Sequence, residues 1–175
     1  MSGGRGLRHL DTYEKRTKGA GAFREVSGGV GVNFLVDTCV LSELAKRKPD
    51  ANVVRWMKRN CATGQFFVSA VTIGEIMEGI ESLPPGDRNR QKLAKWFKTS
   101  ILDVYKDSIV AFGKDVALKW GEIKGRTNRM GKVRPGLDAQ IAATALVHGM
   151  TVLTRNVADM EHTGARTVNP FDVRA

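Results

Sequence analysis

The chain is 175 residues long and carries 28 lysine and arginine residues against 18 aspartate and glutamate residues, a formal net charge of +10. With 42% hydrophobic residues, it is long enough to bury a core without disulfides or a structural metal, which indicates a soluble globular domain. The two cysteines and three histidines show no zinc-finger or CxxC spacing, and no apolar run is long enough for a membrane span or a secretory signal. We therefore expect a cytoplasmic protein.

The excess of positive charge predicts a polyanionic partner, most simply nucleic acid, although acidic lipid or an acidic protein would satisfy the same charge. The first 32 residues contain eight of the 19 glycines and show neither strand nor helix periodicity, so we predict a disordered leader over residues 1–32 and a folded domain over residues 33–175. The leader holds a net charge of +3, which leaves +7 on the rest of the chain. The predicted domain is therefore basic in its own right.

From residue 33 onward, short apolar runs alternate with amphipathic helical patterns. This alternation predicts an α/β fold with a mostly parallel sheet of four or five strands and helices on both faces. The predicted strands cover residues 33–36, 66–69, 101–105, 151–154 and 166–168. The predicted helices cover residues 41–45, 51–60, 72–82, 88–100, 108–126 and 137–148. A basic loop joins the last two helices, and Gly149 is the predicted C-cap of the final one.

Acidic residues that follow strands are the first candidates for a site, because ligands bind at the carboxyl ends of the strands of a parallel sheet. Asp37 directly follows the first predicted strand, and Asp138 opens the last predicted helix. Helical spacing places Asp138 on the same side as Ile141 and Ala142, and a buried carboxylate needs a cation nearby. The alternative for Asp138 is an N-terminal-turn residue that accepts from free backbone N–H groups, and for Asp37 it is the N-cap of the next helix.

Further candidates follow the second and fourth predicted strands. Glu75 lies in the helix after the second strand, where Glu78 and Glu81 fit the pattern equally well. Asn156 and Asp159 follow the fourth strand, where either could be an ordinary turn residue. Three or more carboxylates at one sheet edge repel one another unless a hard cation is bound, and oxygen ligands without His or Cys suit Mg²⁺ or Mn²⁺. Such a centre can activate water against a phosphodiester, the chemistry of metal-dependent nucleases.

At these residues the sequence resembles the PIN-domain proteins, and more narrowly the VapC-type toxins of bacterial toxin–antitoxin pairs with their plasmid-stability relatives. The resemblance extends over about residues 33–172, nearly all of the chain after the leader. Each of its five segments is a weak pattern by itself, but the five together in this order are specific. They are NFLVDTCVLSE from Asn33, VSAVTIGEI from Val68, LDAQIAATA from Leu137, VLTRN from Val152 with Asp159, and VNPF from Val168.

The resemblance implies a PIN-like α/β/α sandwich and a set of site residues. Asp37, Glu75 and Asp138 correspond to the family's three acidic metal ligands, which selects Glu75 over the other glutamates of its helix. Asn156 falls at the fourth acidic position, where relatives carry Asp or Asn, and Asp159 lies close by. These five residues are the metal-binding candidates, and the first three are also the catalytic candidates.

Three neighbouring residues complete the expected site. Thr38 and Thr154 match small hydroxyl residues that hydrogen-bond to ligands or to water. Cys39 stands where relatives often have asparagine, and we interpret it as a packing residue without a redox role. The resemblance implies a Mg²⁺-dependent endoribonuclease, with Mn²⁺ as another usable metal, which is neutralised by a small antitoxin and forms a homodimer. Without the resemblance, the residues indicate only a metal-dependent phosphodiesterase in a basic domain.

Basic residues that precede Asp138 in the chain are candidates for RNA binding. Contacts from such side chains to phosphates position a nucleic acid without reading its sequence, and the alternative for each is a solvated loop residue. Lys46, Arg47 and Lys48 form a second candidate patch, whereas the three tryptophans lie in helical patterns typical of packing. The RNA-binding candidates are Lys124, Arg126, Arg129, Lys132 and Arg134.

Several competing functions lack their motifs. A haloacid-dehalogenase-type phosphatase requires a second aspartate two residues after Asp37, where this chain has Cys39. No dinucleotide-binding glycine motif follows the first strand, and residues 125–133 depart from a P-loop in spacing and in the final Ser or Thr. The remaining alternative is a PIN-like RNA-binding or antitoxin-binding module whose catalysis is weak because Asn156 replaces an acid.

Overall fold

A parallel sheet is the scaffold that positions the candidate site. The computed structural model describes residues 31–131 and 136–172. In this part of the chain, five strands pair in parallel in the order β3-β2-β1-β4-β5. The strands are β1 (Asn33–Val36), β2 (Gln65–Ser69), β3 (Ile109–Val110), β4 (Thr151–Leu153) and β5 (Arg166–Val168). The helices are α1 (Thr38–Leu44), α2 (Ala51–Asn60), α3 (Ala70–Glu81), α4 (Arg88–Trp96), α5 (Lys114–Arg129), α6 (Gly136–Val147) and α7 (Val157–Met160).

Side chains of the central strand alternate between two hydrophobic layers. Phe34 and Val36 lie in the layer that includes α2 and α3, whereas Leu35 lies in the layer that includes α5 and α6. Leu35 stands opposite Phe67 of β2 and Val152 of β4, and both neighbours belong to its layer. Burial on both faces is typical of a parallel strand. The structure therefore confirms the predicted α/β/α sandwich.

Local capping signals place the helix ends. Ser69 ends β2 and caps α3, because its hydroxyl accepts from the backbone N–H of Thr72 at 3.0 Å. Asp50 caps α2 in the same way through Asn52, and α2 has the bounds predicted from the sequence. Gly149 follows α6 with a φ of 63°, a conformation that favours glycine, so its predicted role as the C-cap is confirmed.

The region after α4 differs from the sequence prediction. Residues 101–105 do not form a strand, because the chain continues from α4 into a π-helical segment (Phe97–Leu102). Ile101 of that segment is buried in the layer of α2 and α3. The third strand is instead Ile109–Val110, which pairs with the end of β2. Two residues show no readable alternation, so this strand depends on its neighbour rather than on a local pattern.

The following helix is displaced accordingly. The prediction over residues 108–126 is wrong at its start, because α5 begins at Lys114 after β3. It is also short at its end, because α5 continues to Arg129. The first part of the predicted basic loop is therefore helical, and residues 132–135 of that loop lie outside the described residues.

The predicted leader also falls almost wholly outside the described residues, since the structure begins at residue 31. Within the described residues, no helix combines the length and the apolar character needed to cross a membrane. The tryptophans pack as expected. Trp56 meets the ring of Phe34 edge-on at 5.0 Å, Trp120 meets Phe112 at 6.3 Å, and Trp96 packs against the layer of α2 and α3.

Candidate active site

The candidate site begins where β1 ends. The backbone N–H of Asp37 donates to the carbonyl of Leu153 at 3.0 Å, so Asp37 extends the pairing between β1 and β4 by one residue. Its carboxylate is buried, with 5% of the residue exposed, and Oδ1 accepts from the backbone N–H of Thr38 at 2.7 Å. Asp37 is therefore the N-cap of α1, which was the alternative role considered for it in the sequence. The same contact fixes its carboxylate at the carboxyl edge of the sheet.

Thr154, which follows β4, holds the second oxygen of Asp37. Its hydroxyl donates to Asp37 Oδ2 at 2.6 Å and accepts from the backbone N–H of Asn156 at 2.9 Å. The residue is fully buried, so the hydroxyl has both hydrogen-bonding functions satisfied inside the protein. The structure thus places Thr154 against a candidate ligand, as the resemblance implied.

Cys39 makes a further contact with the same oxygen. Its Sγ lies 3.2 Å from Asp37 Oδ2 and accepts from the backbone N–H of Arg155 at 3.3 Å. Burial, together with the negative charge of Asp37, raises the pKa of the Cys39 thiol from 9.0 to about 11. A neutral thiol is a donor, so Cys39 helps to hold Asp37 and the chain after β4 together. The sequence analysis assigned Cys39 to packing and missed this hydrogen-bonded role. A cysteine two residues after a strand-end aspartate is not by itself a signal for such a role.

Glu75 reaches the same group from α3. The hydroxyl of Thr38 donates to Glu75 Oε2 at 2.6 Å, and the backbone N–H of Thr38 donates to Asp37. Burial raises the pKa of Glu75, and the charges of Asp37 and Asp138 act in the same direction, whereas the hydrogen bond from Thr38 lowers it. The two carboxylates are therefore joined through one threonine, and Asp138 lies within electrostatic reach.

The other glutamates of α3 have different surroundings. Glu78 is exposed, and its charge adds to those that raise the pKa of Glu75. Glu81 forms an ion pair with Arg90 of α4. Of the three glutamates that the sequence pattern left open, Glu75 is the one that the structure joins to Asp37.

Asp138 lies in the first turn of α6 and is half-buried, whereas Ala139 and Ile141 in the same helix are buried. Asn156 precedes α7 and Asp159 lies within it, so both stand just beyond Thr154 in the chain. The structure joins Asn156 to the site through its backbone N–H. We name Asp37, Glu75 and Asp138 the acidic cluster.

The chemistry of the acidic cluster suits a hard cation. Asp37 and Glu75 accept hydrogen bonds from neutral donors, and neither forms an ion pair within residues 31–131 and 136–172. A buried carboxylate without a positive partner is costly, and a cation held by oxygen ligands would remove that cost. In the same described ranges, no group of three or more His, Cys, Asp or Glu side chains is arranged so that it could hold a metal ion as it stands.

The basic residues that are candidates for RNA binding have different surroundings in the structure. Lys124, Arg126 and Arg129 lie on α5, and Lys132 and Arg134 lie outside the described residues. The guanidinium of Arg126 donates to the backbone carbonyls of residues 162 and 163 at 3.0 and 2.8 Å. Arg126 therefore holds the turn after α7.

The second candidate patch also has mixed surroundings. Lys46 forms an ion pair with the buried Glu43 at 2.6 Å, and Arg47 and Lys48 are exposed. A basic residue that the sequence predictions did not single out, Arg155, is exposed beside Thr154. The sequence feature that could have identified Arg155 is its position directly after the fourth predicted strand, whose end carries candidate site residues.

Comparison with known proteins supports the fold described above. The sequence matches the PIN domain family over residues 34–164. It is 30% identical over 139 residues to plasmid stability protein StbB of Pseudomonas syringae pv. tomato, which covers 79% of this chain and 99% of the relative. It is also 30% identical over 139 residues to VapC ribonuclease Y4jK of Sinorhizobium fredii, which covers 79% of this chain and 98% of the relative.

Solved structures show the same fold. The crystal structure of FitAcB from Neisseria gonorrhoeae superposes with a TM-score of 0.72 at 29% identity and covers 80% of this chain and 99% of that chain. The structure of FitAB bound to an IR36 DNA fragment gives a TM-score of 0.72 at 30% identity, with 81% of this chain and 98% of that chain covered. The family match, the relatives and the sheet topology agree, and the chain belongs to the PIN-domain family, in its VapC-type toxin branch.

Proposed function

We propose that the chain is a metal-dependent endoribonuclease, the toxin of a type II toxin–antitoxin pair. The observation that carries the proposal is the hydrogen bond from Thr38 to Glu75, because it joins the acid on α3 to the acid that ends β1. The similarity to proteins named VapC ribonuclease and toxin FitB supports both the reaction class and the biological role. RNA is the proposed substrate, and the net charge of +10 is consistent with a polyanion.

Carboxylate and amide oxygens would hold the metal. When bound, Mg²⁺ or Mn²⁺ supplies a water of lowered pKa and stabilises the negative charge that develops on the phosphate. Asn156 is neutral, so the site would carry one negative charge fewer than it would with an acid at that position. The residues that would hold the metal are Asp37, Glu75, Asp138, Asn156 and Asp159.

The remaining side chains orient these ligands. The two oxygens of Asp37 accept from different donors, Thr38 N–H at Oδ1 and Thr154 Oγ1 at Oδ2, so the carboxylate cannot rotate without losing a hydrogen bond. Thr38 fixes Glu75 through its hydroxyl. Donors placed before the substrate binds reduce the reorganisation that the reaction requires.

A small antitoxin is the proposed protein partner, and a homodimer is the proposed assembly. The likeness to FitAB and to other toxin–antitoxin complexes of this fold supports the antitoxin. Light scattering of the purified chain, whose mass is 19.2 kDa, measures the assembly directly. A mass equal to that of one chain at micromolar concentration contradicts the homodimer.

The enzyme proposal is tested with purified chain that is free of antitoxin. We expect cleavage of RNA with Mg²⁺ or Mn²⁺ and none with EDTA. Asp37→Asn and Asp138→Asn are expected to lower the rate at least ~100-fold, because metal-assisted charge stabilisation is worth several kcal/mol and about 1.4 kcal/mol corresponds to tenfold. Asp103→Asn, which removes an exposed carboxylate outside the acidic cluster, is the matched control.

Circular dichroism establishes that each variant retains its fold. If the parent does not cut RNA with either metal, or if Asp37→Asn cuts as fast as Asp103→Asn, the enzyme proposal is wrong. A parent that binds RNA or antitoxin without cutting would instead identify a binding module.

A further inference from the structure

Arg155 stands at the rim of the candidate site and is held there from two sides. Its backbone N–H donates to Cys39 Sγ, which contacts Asp37, and the preceding residue, Thr154, donates to Asp37. Its guanidinium carbon lies 5.0 Å from the ring centroid of Phe171. The backbone is thus tied to the acidic cluster, and the charged group rests on an aromatic ring.

The ring below Arg155 is itself fixed. The side-chain amide of Asn52 donates to the carbonyl of Phe171 at 2.9 Å, and the backbone N–H of Phe171 donates to Asn169 Oδ1 at 3.0 Å. The ring also packs against the hydrophobic layer of α2 and α3. A guanidinium that stacks on an aromatic face keeps the N–H groups on its edge available for a planar anion.

The guanidinium of Arg155 has no acceptor within the described residues, in contrast to those of three other arginines. Arg90 is paired with Glu81, Arg126 donates to two carbonyls, and Arg166 donates to the carbonyl of Gly149. In the part of the chain that the structure describes, the side chain of Arg155 forms neither a hydrogen bond nor an ion pair, and the residue is exposed. The charge of Arg155 therefore does not stabilise the fold through an ion pair or a hydrogen bond, although the position of its side chain is constrained.

We propose that Arg155 binds a phosphate of the RNA backbone next to the bond that is cut, an inference that rests on the proposed ribonuclease function. The acidic cluster repels a phosphodiester, so a cation at its rim lowers the cost of approach. Arginine suits this role because its planar fork of N–H donors binds two phosphate oxygens at once. The ring of Phe171 orients the fork before RNA arrives.

The test measures RNA binding without cleavage. The background is Asp138→Asn, and the probe is a fluorescein-labelled single-stranded RNA whose anisotropy is followed over a series of salt concentrations with Mg²⁺ present. Arg155→Gln is expected to weaken binding by about tenfold, the order expected for one charge-assisted contact. It is also expected to reduce the slope of log affinity against log salt by about 0.7, the value for one phosphate contact on a single strand.

Arg59→Gln is the matched control, because it removes the same charge from an exposed position. Arg59 lies in the last turn of α2, and the chain leaves that helix toward the start of β2, at the sheet edge opposite the acidic cluster. We expect Arg59→Gln to retain the affinity and the salt slope of the background protein. Arg155→Lys is expected to keep the slope while binding more weakly, because it retains the charge and loses the fork.

Two further measurements separate binding from folding. Phe171→Leu keeps every charge but removes the ring, so its salt slope is expected to match that of the background while its affinity falls. In the cleavage-competent chain, Arg155→Gln is expected to raise KM more than it lowers kcat. Melting temperatures identify any variant whose fold is impaired, and Arg155→Lys then supplies the comparison.

The outcomes distinguish this inference from the proposed function. If the parent cuts and binds RNA while Arg155→Gln retains the affinity and slope of Arg59→Gln, the role of Arg155 is wrong and the ribonuclease proposal stands. If both glutamine variants lose equal affinity, the effect is one of net charge and the inference is also wrong. If the parent neither binds nor cuts RNA, both proposals fail.

Discussion

The hydroxyl of Thr38 lies 2.6 Å from Oε2 of Glu75, although 37 positions separate the two residues in the chain. Thr38 is the first residue of α1, and Glu75 lies in the middle of α3. The contact exists because β1 and β2 are adjacent parallel strands, so the helices that follow them begin at the same sheet edge. One threonine therefore links the two strand-connected helices at the candidate site.

Removal of this hydroxyl is expected to slow catalysis. Thr38→Val keeps the backbone N–H that donates to Asp37 but loses the donor to Glu75, and a hydrogen bond to a charged group is worth about 1.5–3 kcal/mol. We expect the rate of metal-dependent RNA cleavage to fall about 10- to 100-fold. Thr38→Ser retains the donor and should remain close to the parent in initial-rate measurements. Equal rates for the valine and serine variants would contradict the role of the hydroxyl.

Glu75 is expected to destabilise the metal-free protein above acidic pH. Burial, and then the charges of Asp37 and Asp138, raise the pKa of Glu75 above its ordinary value of 4.5, so the folded protein binds this proton more tightly than the unfolded chain does. Stability therefore falls as the pH rises through the unfolded and then the folded pKa. Glu75→Gln should have a higher melting temperature than the parent in EDTA at pH 7.5, and the difference should shrink toward pH 4.

The matched control for that measurement is Glu78→Gln, because Glu78 is an exposed glutamate one turn along the same helix. The charge of Glu78 is the smallest of those that raise the pKa of Glu75, so Glu78→Gln should change the melting temperature much less than Glu75→Gln does. A change of roughly 2–4 °C corresponds to about 1 kcal/mol in a chain of this size, which is within the reach of scanning fluorimetry. A Glu75→Gln difference that does not vary with pH would contradict the pKa argument.

Cys39 is expected to react slowly with alkylating agents. Its pKa is raised from 9.0 to about 11, mainly by burial, so its thiolate fraction at pH 8 is about 100-fold lower than that of an unperturbed thiol. Because the chain has two cysteines, the rate is measured with iodoacetamide in a Cys61→Ala variant. The same variant unfolded in guanidinium chloride provides the reference rate. A folded rate within a few-fold of the reference would exclude a thiol that is protected by a raised pKa.

Glu43 is expected to stabilise the fold most at neutral pH. This buried residue of α1 accepts from Lys46 Nζ at 2.6 Å and from the backbone N–H of Asp50 at 2.9 Å. The hydrogen bond from Lys46 lowers the pKa of Glu43, so its contribution is present above the unfolded value of 4.5 and is lost as the pH falls through the folded value. We expect Glu43→Ala to reduce the free energy of unfolding by about 1.5–3 kcal/mol at pH 7.

Urea denaturation at several pH values measures this contribution. The control is Glu122→Ala, which removes the acid of an ion pair with Lys119 on the exposed side of α5. Such a surface pair is worth about 0–1 kcal/mol. If Glu43→Ala costs no more than Glu122→Ala, or if its cost is the same at pH 3 as at pH 7, the stabilising role of Glu43 is wrong.

Local patterns were sufficient for most of the elements. The bounds of α2 and β1 were predicted correctly, because amphipathic spacing and short apolar runs are signals within a single segment. The third strand was not, since Ile109–Val110 is defined by pairing with β2. Ile101 was mistaken for a strand residue because a buried apolar side chain gives the same signal in a strand and in the π-helical segment.

Asp37 and Asp138 were identified from the sequence by their positions at strand and helix ends, and these positions are properties of one segment each. The choice of Glu75 needed information beyond its own segment, because Glu75, Glu78 and Glu81 share one helix and differ only in what surrounds them. The resemblance selected Glu75, and the fold shows the physical difference, since it brings Thr38 to Glu75 and Arg90 to Glu81.

The sequence by itself determined the family, the class of fold, the basic charge and the strand-end acids, because each is encoded in local spacing or in composition. The tertiary structure alone decided which side chains meet: Thr154 hydrogen-bonds to Asp37, Thr38 hydrogen-bonds to Glu75, and the guanidinium of Arg155 stacks on the ring of Phe171. The physical reason is that a parallel sheet brings the ends of distant segments to one edge. Contacts made there depend on strand order, which no single segment specifies.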